Sequence, residues 1–183
     1  MKASLLIPLA LVLGASATAT TVNVSSSLLE LLIPDDSNTG LSVSLDVAES
    51  FAVDSVRVTL DVSVPVGSVG WVGDLYAYVQ HDSGLSVLLN RPGRDTGSIA
   101  GYPDSQDLRL AFEDTGGQGD IHTYRLSLFG DEGTGLSGAL EGVWEPDGRI
   151  TDPALVLTGD SRQAPLAAFN GLDAAGHPHR AYQ

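Results

Sequence analysis

The stretch Trp71–Arg94, "WVGDLYAYVQHDSGLSVLLNRPGR", carries the fold in its alternation. Leu75, Ala77 and Val79 alternate with Asp74, Tyr76, Tyr78 and Gln80. After Asp82-Ser83-Gly84, the residues Leu85, Val87 and Leu89 resume the alternation. Side chains along a strand point to opposite faces in turn, so period-two patterning on both sides of a turn-forming triplet predicts a β-hairpin. Asp74 follows Gly73 at the start of the first strand. A carboxylate there can accept backbone N–H groups from the adjoining loop and fix it, which makes its expected role structural.

The same period recurs outward from this hairpin. "SVSLDV" (42–47) places Val43, Leu45 and Val47 on one face. "VDSVRVTLDVSV" (53–64) places Val56, Val58, Leu60, Val62 and Val64 on one face, with Ser55, Arg57, Thr59, Asp61 and Ser63 on the other. "DLRLAF" offers Leu108, Leu110 and Phe112, "TYRLSL" offers Tyr124, Leu126 and Leu128, and "GALEGVW" forms a weaker strand ending at Trp144. Clusters of Gly, Asp, Ser and Pro separate these runs. Many short strands punctuated by turn signals predict an all-β fold, an antiparallel sandwich with one buried and one wet face per sheet. Helical spacing is confined to the first residues and "SSLLELL" (26–32).

The chain has 183 residues, enough for one domain with a core of its own. Lys2, the apolar run "LLIPLALVLG" and the small residues "ASATA" have the layout of a secretory signal peptide spanning residues 1–19. Ten apolar residues do not span a bilayer, so no membrane span is expected after cleavage. The domain is then expected over 20–176, and the polar ending 177–183 as an irregular tail that frays.

There is no cysteine, which removes thiol nucleophiles, thiolate metal sites and disulfide chemistry. The net charge is −14, with Lys2 the only lysine. Such a surface repels phosphates and anionic lipid, so nucleic acid is excluded as a partner.

Nucleophilic catalysis finds no support in the motifs. No G-x-S-x-G is present, and His81 and His122, the two mid-chain histidines, adjoin turns where histidine is ordinarily solvated. Asp114-Thr115-Gly116 follows a strand as a catalytic acid would, but it stands without partner motifs and reads as a turn. Calcium is the cofactor the acid loops suggest, because hard cations need several carboxylate and carbonyl oxygens. Asp36, Asp114 and Asp120 are its candidate ligands, in "PDDSNTG" and "DTGGQGD". Neither loop matches the full twelve-residue calcium pattern, and Asp and Asn also cap turns.

Read in order, several motifs point to a family. Ile33-Pro34-Asp35, Gly73-Asp74-Leu75, Ser83-Gly84 and Arg91 are followed by Trp144, Pro146, Asp147 and Gly148 and then by Phe169-Asn170-Gly171. Over about residues 30–176 this resembles the P domain (Homo B domain) that follows the catalytic domain of subtilisin-like proprotein convertases. It is most similar to stand-alone secreted bacterial P-domain proteins of the PEP-CTERM type. The resemblance implies a jelly-roll-like β-sandwich, galactose-binding-domain-like, without catalysis of its own. It also implies structural roles for Gly73, Asp74, Gly84, Trp144, Asp147 and Asn170. Where the family continues into a final strand, this chain reads "HPHRAYQ", so the terminal strand is expected to be missing.

The expected function is a structural or binding module, secreted or at the cell surface, with the periplasm as the alternative site. Its partners would be proteins or carbohydrates. A carbohydrate-binding or adhesion module is one alternative, with Trp71, Tyr76, Tyr78 and Tyr102 as stacking rings. A domain acting with a separate subtilisin-like protease is the other.

Overall fold

The computed structural model describes residues 20–26, 31–35, 37, 39–82, 84–175 and 179–182. Seven strands run in chain order: β1 (Leu41–Ser44), β2 (Val58–Val62), β3 (Tyr76–His81), β4 (Gly84–Asn90), β5 (Leu108–Phe112), β6 (Leu140–Trp144) and β7 (His179–Tyr182). One short helix, α1 (Tyr124–Phe129), and three 3-10 turns complete the elements. The described chain is therefore mostly strands in small sheets, as the alternation predicts. The signal segment, most of "SSLLELL", Asp36 and Asn38 lie outside the described residues.

The first sheet has the order β1-β7-β3-β4 and the second β2-β5-β6. In β2, Val58 and Leu60 are buried while Thr59 and Asp61 are exposed, and in β5 the residues Leu108, Leu110 and Phe112 are buried around exposed Arg109. One core cluster takes Ala77, Val79, Leu88 and Leu89 from the first sheet and Leu60, Leu110, Phe112, Leu140 and Trp144 from the second. Each large side chain so buried stabilises the fold by about 1.5–3 kcal/mol before entropy is counted.

The hairpin β3–β4 departs from simple alternation at one point. Ala77 pairs with Leu89 but Tyr78 pairs with Val87, so Leu88 is an extra residue on β4. The bulge puts both Leu88 and Leu89 in the core cluster and leaves Val87, also fully buried, outside it. The outer edge of β4 is closed by the segment after β6. Asp147 N–H donates to Leu88 O (3.1 Å), Gly148 N–H to Val87 O (2.9 Å) and Val87 N–H to Ala164 O (3.1 Å). An edge covered in this way cannot template pairing with another chain.

Three expectations fail here, each for a physical reason. First, the sheets are not wholly antiparallel, because β5 and β6 run parallel. A parallel pair needs a long crossover, and residues 113–139, with α1 among them, provide one. Second, "TYRLSL" is not a strand but lies in α1 and the turn before it. Asp120 caps that turn through a bond from His122 N–H (2.9 Å), and Gly130 ends α1 with φ 75° and its N–H on Leu126 O (2.9 Å). Third, the irregular tail expected at 177–183 contains β7, so a terminal strand is present. It lies between β1 and β3 and pairs antiparallel with both, Ala181 opposite Ser42 and Tyr78. Two open edges satisfy every backbone group of a four-residue strand, whatever its side chains.

Candidate functional site

The densest polar chemistry lies under β4, around Asp147. Its side chain and that of His122 are both 0% exposed, and their Oδ2 and Nδ1 atoms stand 2.8 Å apart. Asp147 Oδ2 also accepts from Asn90 N–H (3.1 Å), and its Oδ1 accepts from Arg149 Nη1 (3.1 Å). Arg149 reaches on to Asp120 Oδ2 through Nη2 (2.8 Å), and Asn90 Nδ2 donates to the carbonyls of Arg149 (3.0 Å) and Thr151 (2.9 Å). Burial alone would lower the pKa of Arg149, but the hydrogen bond to Asp120 and the charges of Asp147 and Asp120 more than reverse it, so the guanidinium stays charged.

A histidine oriented by a buried carboxylate is half of a nucleophilic triad. Here the other ring nitrogen, Nε2, faces the Arg94 carbonyl at 3.1 Å. That position is where a nucleophile would have to stand, and main chain fills it. The network therefore ties together β4, the turn before α1 and the segment after β6. His81 is also buried, with Nε2 2.7 Å from Asp173 O. The solvated histidines expected from the sequence are thus both interior, because each meets a backbone carbonyl that pairs its ring.

A second cluster holds α1. Arg125 grips Asp104 with Nε on Oδ2 and Nη2 on Oδ1, both at 2.8 Å. Tyr124 donates its hydroxyl to Asp104, and Leu136 N–H donates to Oδ1 (2.9 Å). The guanidinium lies over the Tyr102 ring at 4.7 Å, while Tyr102 meets Tyr124 edge to face with centroids 4.7 Å apart. Tyr102 is buried, so it is not available as a stacking platform for a ligand. Burial and the hydrogen bond to Glu132 raise its pKa well beyond the ordinary phenol value.

The other residues singled out by sequence fall in separate places. Asp74 closes a 3-10 turn (Val72–Asp74), and its Oδ1 accepts from Arg91 Nη2 (3.1 Å), with Arg91 Nε on Gly73 O (3.0 Å). Its partner is thus a side chain at the end of the hairpin rather than loop N–H groups, because those donate to main-chain carbonyls: Val72 and Gly73 to Asp104 O and Tyr102 O, Asp74 and Leu75 to Trp71 O and Val72 O. Gly73 is required by close approach: a Cβ would lie 2.5 Å from Tyr102 N and 2.6 Å from Ala100 O. Gly84 backs onto the Phe169 ring, and the left-handed conformation of the hairpin turn falls on Asp82 (φ 49°) instead. Trp144 is in the core with its indole N–H on Glu141 O (3.2 Å), and Asn170 ends the 3-10 turn Leu166–Phe169.

Of the candidate calcium ligands, Asp36 lies outside the described residues. Both Asp114 oxygens accept from the N–H groups of Leu166 (2.7 Å) and Ala167 (2.6 Å), which start that same 3-10 turn. Both Asp120 oxygens serve Arg149, and Oδ1 also serves His122 N–H. Asp114 and Asp120 thus anchor different segments.

The solvent side presents a groove. Trp71 is 42% exposed, and Tyr76 and Tyr78 are half-buried with ring centroids 5.7 Å apart. An open depression of about 510 Å³ is lined by Ser68, Ser105, Gln106, Asp107, Arg109 and Glu141, with Val64, Pro65 and Ala139. Asp107 Oδ1 is fixed by Val64 N–H (2.9 Å), and Arg109 Nη1 holds Glu141 Oε1 (2.8 Å). Gly70 N–H donates to Ser105 Oγ (3.0 Å) and Val72 N–H to Asp104 O (2.9 Å), which pins the backbone of Trp71 beside the groove. Sequence reasoning did not find this groove. Its one signal is that Arg109 and Glu141 are the outward residues of their strands and register partners. No family model, curated protein or solved structure matches this chain. Among the described residues no helix is long and apolar enough to cross a membrane.

Proposed function

We propose that this chain is an exported, non-catalytic, P-domain-like module of jelly-roll type, with a binding or structural role at the bacterial cell surface or in the extracellular matrix. The observation that carries this reading is the closure of the Asp147 network. Among the described residues, the one histidine paired with a buried carboxylate spends its second nitrogen on main chain. The chemistry-bearing side chains thus hold segments together, and the open polar surface lies elsewhere. Calcium, the cofactor proposed for the acid loops, would have to displace two N–H groups from Asp114 or Arg149 from Asp120. A rise of several degrees in melting temperature with calcium, relative to chelator, is the outcome that supports it.

The test of the module reading uses the chain from Thr20. Purified protein is expected to leave peptide, ester and glycoside substrates intact while binding saturably to the surface of intact cells. Turnover by the pure protein, abolished by His122→Gln or Asp114→Asn, would overturn the reading.

A further inference from the structure

We propose that the groove bordered by Ser68, Ser105, Gln106, Asp107, Arg109 and Glu141 binds a neutral carbohydrate, with Trp71 as the stacking ring at its rim. The proposal rests on the module reading and names the ligand class of that module. Charge decides against an anion. Arg109 is the groove's one cation, and it is shared between Glu141 at 2.8 Å and Asp107 at 3.7 Å, which leaves the three groups net negative on a chain of net charge −14. Polarity decides against lipid or an apolar peptide, since only Val64, Pro65 and Ala139 of the lining are apolar.

What such a surface fits is an uncharged ligand rich in hydroxyl groups. Vicinal hydroxyls donate to carboxylates and accept from guanidinium and amide N–H groups, and Asp107, Glu141, Arg109 and Gln106 offer both functions. Ser105 Oγ already accepts from Gly70 N–H, so its own hydroxyl proton is left to donate outward. The bonds that Val64, Gly70 and Arg109 make inside the groove fix these acceptors before a ligand arrives, which lowers the entropy cost of binding. Trp71, 42% exposed and flanked by Gly70 and Val72 that are bonded to Ser105 and Asp104, supplies an amphipathic aromatic of the kind that covers the C–H face of a sugar ring.

The two tryptophans make the test direct. Trp144 is fully buried in the core, so a change in emission on adding ligand reports Trp71. The full chain from Thr20 is titrated with neutral hexasaccharides of glucose, xylose, mannose, galactose and N-acetylglucosamine at millimolar concentration. At least one is expected to shift the emission saturably and to protect Trp71 from acrylamide. Gln106→Ala and Glu141→Gln, each checked for an unchanged melting transition, are expected to weaken that binding by about tenfold. Trp71→Ala should do the same by calorimetry. If no hexasaccharide acts, if inorganic phosphate competes, or if both variants bind as the wild type does, the groove is not a carbohydrate site. The module reading survives those results as long as cell binding persists, whereas cleavage of a hexasaccharide would overturn the module reading itself.

Discussion

Asp147 shows how much of this molecule depends on single buried side chains. It neutralises Arg149, pairs with His122 and accepts from the Asn90 amide, all without contact with water. Asp147→Asn leaves Asp120 as the one carboxylate facing Arg149 and weakens the bonds from His122 and the Asn90 N–H, so it is expected to cost about 1–3 kcal/mol in urea unfolding. Substitution of the exposed Asp74, whose partner Arg91 is partly solvated, should cost under about 1 kcal/mol by the same measurement. Gly73 gives a steric counterpart. Gly73→Ala drives a methyl into the main chain at Ala100 and Tyr102, for an expected loss of about 1–3 kcal/mol. Gly70→Ala meets nothing closer than Val64 Cγ2 at 3.9 Å and should be close to neutral.

At the level of elements, α1 is the piece most dependent on electrostatics. Leu126, Leu128 and Phe129 are 49%, 40% and 41% exposed, so its apolar contribution comes chiefly from Tyr124. Burial pushes the Asp104 carboxyl up, but the hydrogen bonds from Arg125, Tyr124 and the Leu136 N–H pull it lower still, below its ordinary value. A carboxyl depressed in the folded state contributes stability that is complete above its unfolded value, about 3.9, and is lost as pH falls through the depressed one. The stability gap between wild type and Asp104→Asn should thus be widest near neutrality and narrow below about pH 4 in urea titrations. The five-residue strands β5 and β6 showed only as short apolar runs between turn signals, whereas in β2, β3 and β4 the alternation is long enough to exclude helical spacing. In α1 it was not, since six residues with apolar positions at Tyr124, Leu126 and Leu128 satisfy period two, and the deciding signals, Asp120 and Gly130, flank them. The Asp147 network was illegible for another reason. Asn90 ends β4, His122 lies in the turn before α1, and Asp147 and Arg149 follow β6, so only the fold brings the three segments together.

For the whole molecule, β7 is the element the sequence concealed and the topology needs. "HRAY" has no alternation to read, yet its backbone completes the ladders of both β1 and β3. A chain ending at Ala175 would leave those two edges unpaired. It is expected to melt several degrees lower and to associate in sedimentation, where the full chain stays monodisperse. If the truncated chain melts like the full one, β7 contributes nothing to stability. The same placement has a consequence for timing. Leu41 lies opposite Tyr182, so β1 has its partner only when residue 182 has been made. Until then β1 waits, and closure of the first sheet is a late, long-range and slow event.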